Sequence, residues 1–254
     1  MSQLDLALAA GFSARHVSFI ETGRAQPSRQ ALLALAETMD LPLRERNRLL
    51  EAGGYAQVFR QTPLASEEMA HVRGVLQFIL DRHEPYGALV LDRYANCLMG
   101  NAVSAKLIEG LVDPSLVGEP LNLLRAVFHP LGVRRFIVNW PEVARHLLAR
   151  AERELGRGTE DEPGLRLLAE LRGYAGAFVR ERHTALINPA DLLLPVHLRK
   201  DGMELRIFST IMTLGTPQDV TLQELRIETF FPADADSERS WRLICDPSTR
   251  ISSI

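Results

Sequence analysis

Between residues 13 and 29 the sequence sets three arginines, Arg15, Arg24 and Arg29, against a single acid, Glu21. Arginine carries a planar fork of donors that pairs with the edge of guanine or with a phosphate, and apolar groups beside it touch the thymine methyl. Val17 and Ile20, three apart, mark the inner side of a helix opened by Ser13. That helix turns Ala14, Arg15, Ser18 and part of Phe19 outward, with His16 at the flank. Arg24 after Gly23, and Arg29 after Ser28, are placed to hold phosphates. The chemistry on offer is noncovalent recognition of double-stranded DNA. A helical bundle with an ordinary solvated face has the same pattern, so spacing alone leaves both readings open.

Bond-making chemistry finds no constellation. The sequence has no glycine-rich phosphate loop, no Gly-x-Ser-x-Gly and no His-Glu-x-x-His. Asp234-Ala235-Asp236 sets two acids close together after Pro232, a pattern that reads as a turn. The seven histidines lack ligand spacing; haem ligation by His129 or His146 is the alternative to satisfied or exposed side chains. Cys97 has no positioned base, and with Cys245 it reads as a reduced thiol rather than part of a disulfide framework. The expectation is a protein that is not an enzyme and holds no metal.

With 254 residues and 46% apolar content, the chain can bury the cores of two ordinary domains. Its net charge of -3 does not by itself point to nucleic acid. No apolar run reaches the roughly 20 residues that span a bilayer, and no basic region followed by an apolar stretch opens the chain. A cytoplasmic protein without a membrane partner is expected.

The elements that must position these residues are legible as capped helices. Ser2 caps a helix over Gln3 to Ala10, stopped by Gly11; Ser13 caps the next, stopped by Gly23. Pro27-Ser28 opens a third with a stripe of Leu32, Leu35, Ala36 and Met39, and Pro42 at a first-turn position opens a fourth, ended by Gly53-Gly54. Leu6, Ala7, Ala10, Phe12, Val17 and Ile20 can fill a small core between the first two, so helix, glycine turn, helix forms a helix-turn-helix. A connector follows, then an amphipathic bridge helix from Ser66 to Arg82. Beyond Pro85 the order is strands (87–92, 97–99), helices (102–111, 121–128, 142–155, 165–182), then strands (194–199, 204–213, 222–231), with Asp201-Gly202 as a hairpin turn. The fold expected is two domains: an all-α helix-turn-helix module at 1–60 and an α+β domain with an antiparallel sheet at 85–250, joined through 61–84.

The first stretch, with its Phe-Ile-Glu-Thr-Gly-Arg segment followed by Pro-Ser, resembles the XRE (lambda-repressor-like) helix-turn-helix family. The resemblance implies that the helix starting at Ser13 is the recognition helix and that Gln3 approaches DNA backbone or a base edge. The family's first helix is missing here, which implies that Glu21 lacks its arginine partner and that Leu4 and Leu8 lie exposed. From Glu84-Pro85-Tyr86 onward the chain resembles the PAS-like ligand-binding domain of MmyB-like regulators. The residues carrying that likeness are Leu89-Val90-Leu91-Asp92-Arg93 with Asn101, Asn122-Leu123-Leu124 with Phe128, Asn139-Trp140, Gly215 to Val220, and Phe231-Pro232-Ala233-Asp234.

That second resemblance implies a pocket between sheet and helices for a small apolar ligand, with a fatty acid the best guess. Residues placed to line it are Leu89, Leu91, Leu98, Leu107, Leu124, Phe128, Trp140, Leu147, Ile207 and Ile211, each of which can equally pack a core. Arg125, His129, Arg134 or Arg135 can pair with a ligand carboxylate, or stand solvated. The function expected is a ligand-responsive transcription regulator acting as a homodimer on DNA. A sensor or interaction module that binds no DNA, and an enzyme acting on a lipid or small acid, are the competing readings.

Overall fold

The computed structural model describes residues 1–113, 118–155, 161–176 and 193–245. The chain falls into two compact units, Met1–Ala70 with Leu214–Glu224, and His71–Thr213 with Leu225–Ile254.

In the first unit each helix starts where a side chain can satisfy its open N–H groups. Ser2 Oγ accepts from Asp5 N at 3.2 Å while the Asp5 carboxylate accepts from Ser2 N at 3.0 Å, a capping box that opens α1, Gln3–Ala9. Gly11 at φ +73° takes a left-handed conformation that a Cβ resists, and the chain turns into α2, Ala14–Glu21. Ser13 Oγ accepts from His16 N there, and Ser28 Oγ accepts from Ala31 N to open α3, Arg29–Thr38. Ala7, Val17 and Leu35 form the buried centre, ringed by Leu6, Ala10, Phe12 and Ile20. Small residues at 7 and 10 let α1 and α2 cross closely.

The fourth helix, α4 (Leu43–Ala52), departs from expectation at its start. Pro42 sits at the cap position rather than in the first turn, and it offers no side-chain cap. The missing acceptor comes from far along the chain: Gln223 Oε1 takes the Leu43 N–H at 2.7 Å. Gln223 lies on α10, Val220–Glu224, inside a segment expected to be a strand from Leu222. It is a helix because Asp219 Oδ1 accepts from Thr221 N at 2.8 Å and caps it. Asp219 Oδ2 also accepts from Thr62 N and Oγ1 (3.0 and 2.7 Å), and Glu224 takes Arg44 through two bonds of 2.6 and 2.8 Å.

The second unit is built on an antiparallel five-strand sheet of order β2-β1-β5-β4-β3, with β1 Ala88–Leu91, β2 Cys97–Gly100, β3 Val196–Lys200, β4 Met203–Met212 and β5 Arg226–Pro232. α5 (Ala70–Arg82) precedes it, opened by a 3-10 turn at Glu67–Met69 where a continuous helix from Ser66 was expected. Among the described residues, the α-helices between β2 and β3 are α6 Ala102–Leu111, α7 Leu123–Phe128, α8 Trp140–Leu155 and α9 Glu162–Ala175. The expected continuation of α9 to Arg182 falls outside the described residues. Asp201 and Gly202, both at positive φ, make the tight turn that fixes the β3–β4 register, with Lys200 opposite Met203. Phe128, Trp140, Val143, Leu148, Leu171 and Trp241 anchor the core.

Trp241 belongs to α11, Ala235–Cys245, a helix where the Asp-Ala-Asp pattern reads only as a turn. Asp234 is in fact its cap, accepting from Ser237 N at 2.7 Å. The helix buries Trp241 completely, and the indole Nε1 donates to Pro85 O at 2.8 Å.

Candidate functional site

Two sites follow from this architecture, one in each unit. On the first, α2 is held by Val17, which is buried, so Arg15 is exposed and Ser18 and Phe19 are half-buried along the outer side. The Arg15 guanidinium lies over the Phe19 ring, 5.1 Å from its centroid. His16 faces inward enough to meet the Phe12 ring at 5.5 Å, and Ala14 touches the small core. Ser13 is occupied as the helix cap. Arg24 and Arg29 are exposed on either side of the turn into α3. That turn is pinned from behind, because Gln26 Nε2 donates to Gly53 O and Tyr55 OH donates to Pro27 O.

Gln3 and Glu21 find one another. Gln3 Nε2 donates to Glu21 Oε2 at 2.5 Å, so the carboxylate for which the family likeness implied an absent arginine accepts from the Gln3 amide. Leu4 and Leu8 are exposed, at 56% and 70%.

In the second unit a small apolar cavity of about 30 Å³ lies among Leu107 and Leu111 of α6, Leu198 and Lys200 of β3, Met203 and Leu205 of β4, and Ile244 of α11. That volume takes a water-sized group, well short of the few hundred Å³ a small-molecule ligand fills, so a larger guest requires its walls to part. Lys200 is the charged member of the lining. Its side chain is 10% exposed, its Nζ donates to Gly110 O at 2.8 Å, and the ammonium stands 5.6 Å from the Phe136 ring. The Asp201 carboxylate stands 4.0 Å from the same ammonium, and the buried stem holds that charged head at the rim of the cavity.

Of the residues picked from sequence to line a pocket, Leu107 is at this cavity. Phe128 and Trp140 meet edge to face at 5.2 Å in the main core, with Leu107, Leu124, Leu147 and Ile207 packed against it. Leu89 and Leu91 are buried on β1, whereas Leu98 and Ile211 are exposed at 37% and 40%. The basic candidates all have protein partners. Arg125 Nε donates to both carboxylate oxygens of Glu170, and the His129 ring stands edge-on to Tyr174 at 5.2 Å. Arg134 donates to Tyr174 O and lies over Trp140, and Arg135 lies over Phe136. Lys200 was missed in the sequence. The one signal for it is the strand period, which puts Leu198 and Lys200 on the same face of β3.

Burial pushes the Cys97 thiol up to about 12, with the negative charges of Asp92 and Glu228 adding to the shift. The thiol is therefore held protonated and unreactive. Among the described residues no cluster of three or more potential metal ligands is found, and no helix is long and apolar enough to cross a membrane.

A helix-turn-helix with an outward arginine, followed by an antiparallel sheet with helices packed on it around a small apolar cavity, defines a two-domain architecture. Residues 72–244 match the MmyB-like transcription regulator ligand binding domain, and residues 1–46 match the helix-turn-helix family. The chain belongs to the MmyB-like transcription regulator ligand binding domain family, and its two domains are those of a ligand-responsive transcription regulator. No curated protein matches the chain.

Proposed function

We propose that this protein binds double-stranded DNA as a homodimer through α2, and that a small apolar ligand held in a PAS-like second domain controls that binding. The observation that carries the DNA half is the outward face of α2, with Arg15 over Phe19 and Arg24 and Arg29 exposed beyond it. Arg15 reaches base edges, Ala14, Ser18 and Phe19 fill the groove beside it, and Ser13, His16 and Gln3 flank the contact. Arg24 and Arg29 take phosphates. Two copies related by a twofold axis present two such helices to successive turns of the groove.

The antiparallel sheet, with α6 to α9 between its second and third strands, supports the PAS-like reading. The apolar lining and Lys200 support a long-chain fatty acid, whose carboxylate meets the ammonium while its chain parts Leu107, Leu198 and Ile244. Ligand acts by favouring one of two arrangements of the chain around α5, which sets the spacing of the recognition helices.

Fluorescence anisotropy of the full chain on duplex DNA tests the first half. Binding weakens steeply with salt, and Arg15→Ala costs about 1–3 kcal/mol on a preferred sequence. Undiminished binding by Arg15→Ala removes α2 from the interface. Native mass spectrometry of the purified protein tests the second half: a co-purifying mass or saturable uptake of palmitate is expected, and Lys200→Met reduces it. A protein that takes up no fatty acid leaves the ligand class to be found elsewhere.

A further inference from the structure

The pairing of Arg15 with Phe19 says more than that α2 touches DNA. The two residues are one helical turn apart on the same outward side, and the guanidinium rests over the ring at 5.1 Å. An exposed cation is weakly favoured on an aromatic face, which biases Arg15 toward this pose before any partner arrives. The acid nearest along the helix, Glu21, is engaged by Gln3, and Thr22 Oγ1 is turned back onto Ser18 O at 2.7 Å. The outer side therefore offers one charged fork and one apolar ring, flanked by the small side chains of Ala14 and Ser18.

The fork fits O6 and N7 of guanine, and the ring fits a thymine methyl. The guanidinium lies directly over the ring, 5.1 Å from its centroid, so the two groups reach the groove side by side and the bases they meet are neighbours in the stack. We propose that the Arg15–Phe19 pair acts as a single reading unit for a guanine next to a thymine in each half-site. The proposal rests on DNA binding through α2 as set out above. Arg15 selects the guanine, and Phe19 both selects the thymine and aims Arg15.

The test is selection by the full chain from a library of randomised duplexes, followed by titration of the enriched sequence. A guanine–thymine neighbour is expected in each half-site, and replacing the guanine costs about five- to 150-fold in affinity. Replacing the thymine by uracil deletes only its methyl and leaves the protein untouched; it costs about fourfold in the unaltered chain. With Phe19→Ala the uracil substitution costs nothing, while the guanine preference persists in weakened form. Enrichment of sequences without the neighbouring pair, or an affinity indifferent to uracil, overturns the reading unit while DNA binding stands. A library from which nothing is enriched, with no binding even at low salt, overturns the DNA-binding reading and this proposal with it.

Discussion

Arg15 and Lys200 show how far a single side chain can be read before its surroundings are known. Arg15 is legible because Val17 and Ile20 fix the inner side of a helix, and the residues between them have to face out. Lys200 is not. A charged residue beside Asp201-Gly202 reads as the solvated end of a hairpin, and its burial depends on Gly110 of α6, which meets it only through folding. Arg125 and His129 went the other way. Their basic side chains suited a carboxylate ligand, yet Glu170 and Tyr174 on α9 take them up. Cys97 carries a prediction at this scale. With its thiol pushed up to about 12, it stays unalkylated by iodoacetamide at pH 8 in the folded protein, and becomes reactive once the protein is unfolded. Peptide mapping after timed labelling reads this directly, and rapid labelling of native protein contradicts the raised thiol pKa.

Helices announce themselves through caps, and α10 and α11 both start at an aspartate whose neighbours carry a strand-like or turn-like pattern. Asp219 and Asp234 each accept from a backbone N–H two or three residues on, and each starts a helix where a strand or a turn was expected. The apolar pattern of Leu222 to Phe231 carries both a helix end and a strand, and nothing local marks the boundary near Leu225. α4 is harder still, since its cap comes from Gln223, which no local pattern connects to Pro42. Gln223→Ala leaves the Leu43 N–H without that acceptor and is expected to cost about 1 kcal/mol, within the range for lost caps. Faster amide exchange at Leu43, with α1 to α3 unchanged, is the local signature; unaltered exchange there removes Gln223 from the cap. Trp241→Ala leaves a large void beneath α11 and is expected to cost about 3–5 kcal/mol in denaturant unfolding.

For the whole molecule, acid is the condition that separates the groups whose pKa the fold lowers. Burial lowers the pKa of His83 below its ordinary 6.5, so the fold favours the neutral ring, whose Nε2 is buried without a hydrogen-bond partner among the described residues. A group depressed in this way contributes stability above pH 6.5 that is lost as pH falls below it. Asp234, held below 3.8 chiefly by the Ser237 N–H, adds a second loss only at more acid pH. The melting temperature is therefore expected to fall between pH 6.5 and 5, and His83→Gln to flatten that window; an unchanged slope in the variant rules out His83 as its source. The segment Leu214–Glu224 has a different consequence at this scale. It leaves the sheet after β4, serves Leu43, Arg44 and Thr62 in the first unit, and returns as β5. Anyone grafting the reading head onto another sensor by splicing at residue 70 would therefore transplant an incomplete part, and the donor's own loop between its last two strands has to travel with it.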